Sequence, residues 1–351
     1  MPDIRVLIVD DSSMVRDMLA DILSSDPGIS IVGMATNGLE AISLTQALKP
    51  DVVAMDIVMP VMDGMEAIEK IMASTPVPIL VISDLDHSKI AFSALSKGAL
   101  DVYHKSNTSE TMAKELIAKV KLLSRVKVIK HILPHSGGLL APPSPAPEKA
   151  KENNKTCQII AIASSTGGPR ALAQIFSNLN TPFPVPIVVA QHISDDFVCG
   201  LVDWLNEVSS IKVVFAADGE MLKPNHAYFA PAGTHITVSK TGRLMLQPRN
   251  PDELFHPSCD RLLQSVGKAF GAYSIGVILT GMGDDGVQGI CCIREQGGYT
   301  IAQDEATSVV FGMPKVAIER GGIDRVSPIN EIGGLFKQRV KLTSTCHHEH
   351  A

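Results

Sequence analysis

Residues 159–172 read IIAIASSTGGPRAL. An apolar run stops on two serines and a threonine, and Gly167-Gly168-Pro169 then opens an amphipathic stretch. Proline suits the first turn of a helix, because its missing N–H would be unpaired there in any case. The segment therefore reads as a buried strand that turns sharply into a helix, the opening of a βα unit. Such units in series build parallel sheets covered by helices on both faces. The hydroxyls of the turn have two readings: they shape a loop, or one of them is presented as a nucleophile.

The same alternation runs along the whole chain. In the first half the candidate strands are RVLIVD (5–10), SIVGMA (30–35), DVVAMD (51–56), PILVIS (78–83) and DVYHK (101–105). Stretches such as MVRDMLADILSS (14–25) and GLEAISLTQALK (38–49) carry helical apolar spacing between them. The second half continues with QIIAIA (158–163), PIVVAQH (186–192), KVVFA (212–216), AYFAP (227–231), ITVSK (236–240) and IGVILTG (275–281). A polar, turn-rich region near 219–258 is expected to form antiparallel hairpins. The fold class that follows is α/β, with two doubly wound parallel-sheet domains and a hairpin region in the second.

At 351 residues, two domains are expected rather than one core. The division falls at LPHSGGLLAPPSPAPEKAKENNK (133–155), where four prolines between 142 and 147 give way to charge and asparagine. Such a segment buries too little apolar area to fold and reads as a linker. Before it, residues 110–133 have helical spacing and are expected to form one long helix. Hydrophobic content of 45% against 19% charged residues indicates a soluble globular protein. No uninterrupted apolar stretch of about 18 residues occurs, so no membrane span is expected. The start, MPDIRVLIVDD, is unlike an export signal. Six cysteines (157, 199, 259, 291, 292, 346) show no C-x-x-C and no framework spacing, as expected of reduced thiols in a cytoplasmic protein. The tail CHHEH (346–350) is expected to be a frayed terminus. Net charge is −6 over residues 1–125, +3 over 126–155 and −3 over 156–351, so neither large segment has the basic excess of a nucleic-acid binder.

In a parallel α/β sheet, functional groups collect at the carboxyl ends of the strands. The first half ends its strands on Asp10 and Asp11, on Asp56, on Ser83 and on Lys105. Clustered carboxylates repel unless a cation sits among them, and hard oxygen ligands suit Mg²⁺. A lysine and a hydroxyl beside them would hold phosphoryl oxygens, although acids after strands also cap helices. VLIVDD, MDIVMPVMDG, Ser83 and Lys105 together resemble the response-regulator receiver family over about residues 3–122, a flavodoxin-like fold. The resemblance implies that Asp56 accepts a phosphoryl group from a histidine kinase. It implies that Asp10, Asp11 and Asp56 hold Mg²⁺, and that Ser83 and Lys105 sense the phosphorylated state. Ser106 stands where receivers usually have proline. Val102, with Tyr103 beside it, stands where many have an aromatic switch residue.

In the second half, serine alone is a weak nucleophile and needs a base oriented by a third group. His192 ends the strand PIVVAQH, and Asp284 and Asp285 follow IGVILTG in a glycine-rich loop. If the sheet is parallel, serine, histidine and aspartate meet at one edge, as a triad requires. A strand-end histidine is often structural, and Gly-Gly-Pro could equally cradle a phosphate. The order Ser, His, Asp and the absence of G-x-S-x-G disfavour an ordinary α/β-hydrolase. Residues 156–340 resemble the effector domain of the CheB family of chemotaxis methylesterases. The resemblance rests on STGGP, QH, DGEMLKPNHAYFAPAGTHITV, HPSCD, GVILTGMGDDG and AQDEATSVVFGMP. It implies Ser165 as nucleophile, His192 as base and Asp285 as orienting acid, with Thr166 and the backbone around Met282 as oxyanion donors. Ala163-Ser164 replaces the family's usual Gly-Ala, so Ser164 is an extra hydroxyl beside the nucleophile.

The two resemblances imply a receiver domain at 1–125, a helix end and Pro-rich linker at 126–155, and a Rossmann-like methylesterase domain at 156–345. The implied reaction is hydrolysis of glutamate methyl esters, with deamidation of glutamines by the same chemistry, on the cytoplasmic domain of chemoreceptors. It releases methanol and uses no cofactor. The receiver would inhibit until Asp56 is phosphorylated. Two rivals remain: a DNA-binding response regulator, for which 156–351 is too long, strand-rich and acidic, and a protein-binding output domain without turnover.

Overall fold

The computed structural model describes residues 3–84, 88–105, 110–126, 128, 157–250, 253 and 256–340. The linker expected at 133–155, Ser106 and the tail at 346–350 lie outside the described residues. The chain divides into two compact units, 1–151 and 152–351.

The first unit is a five-stranded sheet of β1 (Ile4–Val9), β2 (Ile29–Ala35), β3 (Val52–Met55), β4 (Ile79–Ser83) and β5 (Asp101–His104), in the order β2-β1-β3-β4-β5. Every neighbouring pair is parallel. Helices α1 (Ser13–Ser24), α2 (Gly38–Leu48), α3 (Gly64–Ser74), α4 (Ser88–Lys97) and α5 (Glu110–Leu123) connect and follow the strands. The strands are nearly continuous apolar runs, and Val6–Val9, Val52–Met55 and Ile79–Ile82 are all buried. Parallel strands covered on both faces need that composition. Asn37 and Asp63 start α2 and α3 by accepting the N–H of Glu40 and Glu66. The helix expected over 110–133 stops at Leu123, where Ser124 and Arg125 turn back onto Val120 O and Leu122 O.

The second unit holds a seven-stranded sheet of β6 (Ile159–Ser164), β7 (Ile187–Gln191), β8 (Lys212–Phe215), β9 (His226–Phe229), β12 (Ser274–Ile278), β13 (Tyr299–Gln303) and β14 (Arg325–Ser327). Its order is β14-β13-β12-β6-β7-β9-β8 and every pairing is parallel. Its helices are α6 (Gly168–Ser177), α7 (Asp195–Val208), α8 (Cys259–Phe270), α9 (Val287–Glu295), α10 (Met313–Glu319) and α11 (Ile329–Val340). Among the described residues, the hairpin expectation for 219–258 holds for β10 (Thr234–Val238) with β11 (Leu244–Pro248), which pair antiparallel, and for an isolated antiparallel bridge between Met221 and Arg243. Strand β9 lies inside that polar region yet runs parallel between β7 and β8, because its Ala227, Tyr228 and Phe229 fill the main core. Strands β13 and β14 were not expected from sequence. They are short, and their burial comes from the neighbours they extend.

Strand β6 sits in the middle of this sheet. The chain leaves it towards β7 on one side and returns at β12 on the other. That reversal opens a crevice at the carboxyl ends, where α/β sheets bind ligands. Helix α6 starts there and is anchored by buried Leu172, Ile175 and Phe176, each contributing roughly 1.5–3 kcal/mol.

Candidate active site

Register places the first two residues. Ser164 pairs with Gln191 across β6 and β7, and His192 N–H donates to Ser164 O at 2.9 Å. Ser165 and His192 therefore stand at equal register, each one residue past its strand, and neighbouring strands lie about 4.8 Å apart. From the other side, Ser165 N–H donates to Thr280 O at 3.0 Å, just beyond β12. Five residues on, the loop delivers Asp285, which is buried, while Asp284 is exposed.

The two serines have different surroundings. Ser164 is fully buried, and its hydroxyl donates to Gln191 Oε1 at 2.6 Å. The Gln191 amide in turn donates to Ser165 O at 2.8 Å and His192 O at 2.9 Å. Gln191 thus ties both neighbouring turns together, and Ser164 is the group that orients it. Ser165 is half-buried, and its hydroxyl makes no hydrogen bond among the described residues. The structure does not join it to His192, and such contacts are often loose before substrate binds.

His192 and Asp285 do meet, with Nε2 2.8 Å from Oδ2. The carboxylate is held from behind by the start of α8. Cys259 N–H donates to Oδ2 at 2.7 Å, and Asp260 N–H donates to Oδ1 at 2.9 Å. The Ser258 hydroxyl adds a bond to Oδ1 at 3.2 Å. Burial alone would push the Asp285 carboxyl up. The His192 contact and the Asp260 and Cys259 N–H groups outweigh it and hold the carboxyl below its ordinary value. A second histidine supports that helix start: His235 is fully buried, accepts Ser258 N–H at 2.9 Å and reaches Glu253 at 2.5 Å. Glu253 also pairs with Arg261.

Thr166 is buried and its carbonyl accepts from Thr280 Oγ1 at 2.9 Å. Met282 is 51% exposed at the crevice. Neither main-chain N–H donates to another group among the described residues. Gly168 allows the tight turn: a Cβ there would lie 2.0 Å from Gln191 Oε1 and 2.8 Å from Ser164 Cβ. Gly168→Ala is expected to cost about 1–3 kcal/mol by overpacking. It should also lower esterase turnover, because the displaced amide carries both the serine and the histidine turns. Thermal denaturation and turnover of the variant check this.

In the first unit, Lys105 Nζ lies 2.8 Å from Asp10 Oδ2 and 2.8 Å from Asp56 Oδ2. Asp10 and Asp56 are buried and Asp11 is exposed, and one carboxylate oxygen of each lies within 4.8 Å of the others. Asp10 Oδ2 touches Lys105 but makes no aligned hydrogen bond. Burial raises the Asp56 carboxyl, and Lys105 offsets this only in part. Burial would lower the Lys105 ammonium, but its contacts with Asp10 and Asp56 outweigh that and raise it. One lysine faces three carboxylates, an all-oxygen set with a negative excess, so the residues present fit a hard divalent cation. Ser83 is buried at the end of β4, and Lys105 N–H donates to its carbonyl at 2.9 Å. Gly64 makes room behind: a Cβ there would meet Asp56 O at 2.0 Å. Val102 and Tyr103 are both buried in β5.

Sequence reading missed Gln191, Cys259, Asp260, His235 and Glu253 as parts of the site. A serine before an apolar helical run is a helix-start signal at Ser258. Nothing local connects that helix start to a loop 25 residues later.

Comparison with known proteins adds independent findings. A family model described as CheB methylesterase matches residues 160–336, and one described as response regulator receiver domain matches residues 6–117. Protein-glutamate methylesterase/protein-glutamine glutaminase 3 of Paramagnetospirillum magneticum is 44% identical over 334 residues, spanning 94% of each chain. Protein-glutamate methylesterase/protein-glutamine glutaminase 2 of Anaeromyxobacter dehalogenans is 41% identical over 332 residues, spanning 94% of this chain and 95% of that one. The crystal structure of the Thermotoga maritima CheB methylesterase catalytic domain is similar with a TM-score of 0.50 at 38% identity. It covers 52% of this chain and 99% of its own.

Proposed function

Because this chain belongs to the CheB methylesterase family and carries a response regulator receiver domain ahead of the methylesterase domain, we propose that it is a phosphorylation-regulated protein-glutamate methylesterase. Its substrates are γ-glutamyl methyl esters on the cytoplasmic domain of methylated chemoreceptors, with deamidation of glutamines as a second reaction. The observation that carries this reading is the strand-end geometry: Ser165 and His192 at equal register, with Asp285 2.8 Å from the imidazole. We assign residues 1–125 to the receiver, 126–155 to the connection and 156–345 to the hydrolase. No helix among the described residues is long and apolar enough to cross a membrane, and we infer a cytoplasmic enzyme from the side on which its substrate lies.

In this reading Ser165 attacks the ester carbonyl while His192 takes its proton. With Nε2–H donated to Asp285, the accepting lone pair sits on Nδ1. Asp285 holds that tautomer and offsets the imidazolium charge that forms. The Thr166 and Met282 N–H groups donate to the developing oxyanion. His192 returns the proton to the leaving methoxide, and methanol departs. Water deprotonated by His192 then attacks the acyl-serine and frees glutamate.

On the receiver, Asp56 takes a phosphoryl group from a histidine kinase. Asp10, Asp11 and Asp56 would hold Mg²⁺, which when bound neutralises charge on the phosphoryl oxygens. Lys105 contacts the same oxygens and Ser83 senses their arrival, shifting the domain from an inhibiting to a permissive state. Methanol release from methylated receptor membranes tests the whole reading. A small phosphodonor with Mg²⁺ is expected to raise the rate about tenfold, a common size for coupling between sites. In Asp56→Asn the ratio of rates with and without phosphodonor should fall to one. Absence of methanol from the wild-type protein under both conditions overturns the reading.

A further inference from the structure

The ester mechanism uses the main chain of Cys259 but not its thiol. That thiol borders the His192–Asp285 pair. Cys259 Sγ is 3.4 Å from His192 Nε2 and 3.4 Å from Ala190 O. His192 Nε2 is itself 2.8 Å from Asp285 Oδ2. One ligand atom from each of His192, Cys259 and Asp285 lies within 4.8 Å of the other two. The imidazole forms the rim of the cluster, with 13% side-chain exposure, and the fully buried thiol forms its floor.

Imidazole, thiolate and carboxylate are the donors that zinc takes, three from the protein with a fourth position open. Bonds of about 2.0–2.3 Å in a tetrahedral arrangement put ligand atoms roughly 3.3–3.7 Å apart. The nitrogen and sulfur already have that spacing, and the nitrogen and oxygen need to open by about half an ångström. Asp285 would keep its α8 N–H donors while doing so, since each carboxylate oxygen offers two lone pairs. The receiver's cluster of Asp10, Asp11 and Asp56 is all oxygen. The two clusters therefore select opposite classes of cation, hard in the first unit and thiophilic in the second.

We propose that His192, Cys259 and Asp285 form a site for a thiophilic divalent cation of the zinc class, and that its occupancy reversibly switches the esterase off. The inhibitory half of this inference rests on the serine-hydrolase reading above. On binding, the metal replaces the proton on Nε2, and the neutral ring carries its one proton on Nδ1 instead. The Cys259 thiol releases its proton to solvent as the sulfur–metal bond forms, so one proton leaves for each metal bound. A protonated Nδ1 cannot accept the Ser165 proton, and the metal has taken Asp285 from the imidazole. Nucleophile activation stops without any change in the serine.

The test uses the full chain with Cys346→Ser, His347→Ala, His348→Ala and His350→Ala, which remove competing tail ligands, and with Mg²⁺ in excess throughout. Zinc chloride should suppress methanol release, and EDTA should restore it. Cys259→Val should raise the zinc concentration for half-inhibition by about tenfold or more, since even outer partners of a metal site are worth that much. Each protein is compared with its own metal-free rate. Cys259→Ser, closer in size, serves as a second variant should valine disturb folding, and the exposed Cys199→Ser should keep full sensitivity. Cobalt(II) provides a readout independent of turnover: a thiolate-to-cobalt absorption should appear and be lost in both Cys259 variants. A Cys259-dependent cobalt band in a chain that releases no methanol under any condition leaves the metal site standing and removes the hydrolase reading. Zinc inhibition that is equal in wild type and both Cys259 variants, or a cobalt band that survives them, overturns the site.

Discussion

Ser165→Ala is expected to lower methanol release by about 10⁴–10⁶-fold, the range seen when the nucleophile of a serine hydrolase is removed. Ser164→Ala is expected to keep turnover within about tenfold of wild type, because that hydroxyl has another task. It donates to Gln191 Oε1 in a fully buried position. Removing it leaves a buried amide oxygen without its donor, a loss of about 1–3 kcal/mol that belongs to stability. The pair of variants separates chemistry from support at two adjacent serines. A serine-reactive phosphonate probe gives the same contrast without substrate: labelling should persist in Ser164→Ala and vanish in Ser165→Ala. Labelling that follows Ser164 instead would sink the assignment.

Asp285→Asn should reduce turnover by about 10³–10⁴-fold while the fold survives. The carboxylate accepts from four donors: His192 Nε2 and Cys259 N–H at Oδ2, Asp260 N–H and Ser258 Oγ at Oδ1. An amide offers one acceptor oxygen and one NH₂ group. If the oxygen keeps the His192 side, the NH₂ meets the Asp260 N–H, donor against donor. If it turns round, the NH₂ faces Nε2 and drives the ring proton to Nδ1, where no base remains for the serine. Stability provides a second readout with a defined sign. The folded Asp285 carboxyl is held below its ordinary value. Its stabilising contribution is therefore complete above about pH 4 and is lost as pH falls through the lowered folded value. The stability gap between wild type and Asp285→Asn should be widest near neutral pH and should close on acidification. A gap that grows towards low pH contradicts the clamp described at the start of α8.

Much of this architecture is written locally. RVLIVD, DVVAMD and IIAIAS are unbroken apolar runs ending on polar residues. A strand covered on both faces requires the run, and its exit into solvent requires the change. Asp10, Asp56, Ser83 and Lys105 were therefore readable as strand-end residues. Strand β13, with a single isoleucine, and β14, with three residues, were not readable in this way, because their burial is supplied by neighbours. The parallel course of β9 inside a turn-rich region escaped for the same reason. So did the true end of α5, where helical spacing outlasts the helix.

At the candidate active site, local patterning already sets which residue types stand at the ends of β6, β7 and β12, since periodicity and burial act within a few residues. Ser165 was separated from Ser164 only by family resemblance, because adjacent serines in one turn look alike until their partners are known. Tertiary structure alone decided that Ser164 turns inward to Gln191. It alone decided that β6 lies between β7 and β12, and that the start of α8, with the Cys259 thiol, closes around Asp285. Strand order and helix docking join positions tens of residues apart through packing and hydrogen bonds that no local pattern encodes.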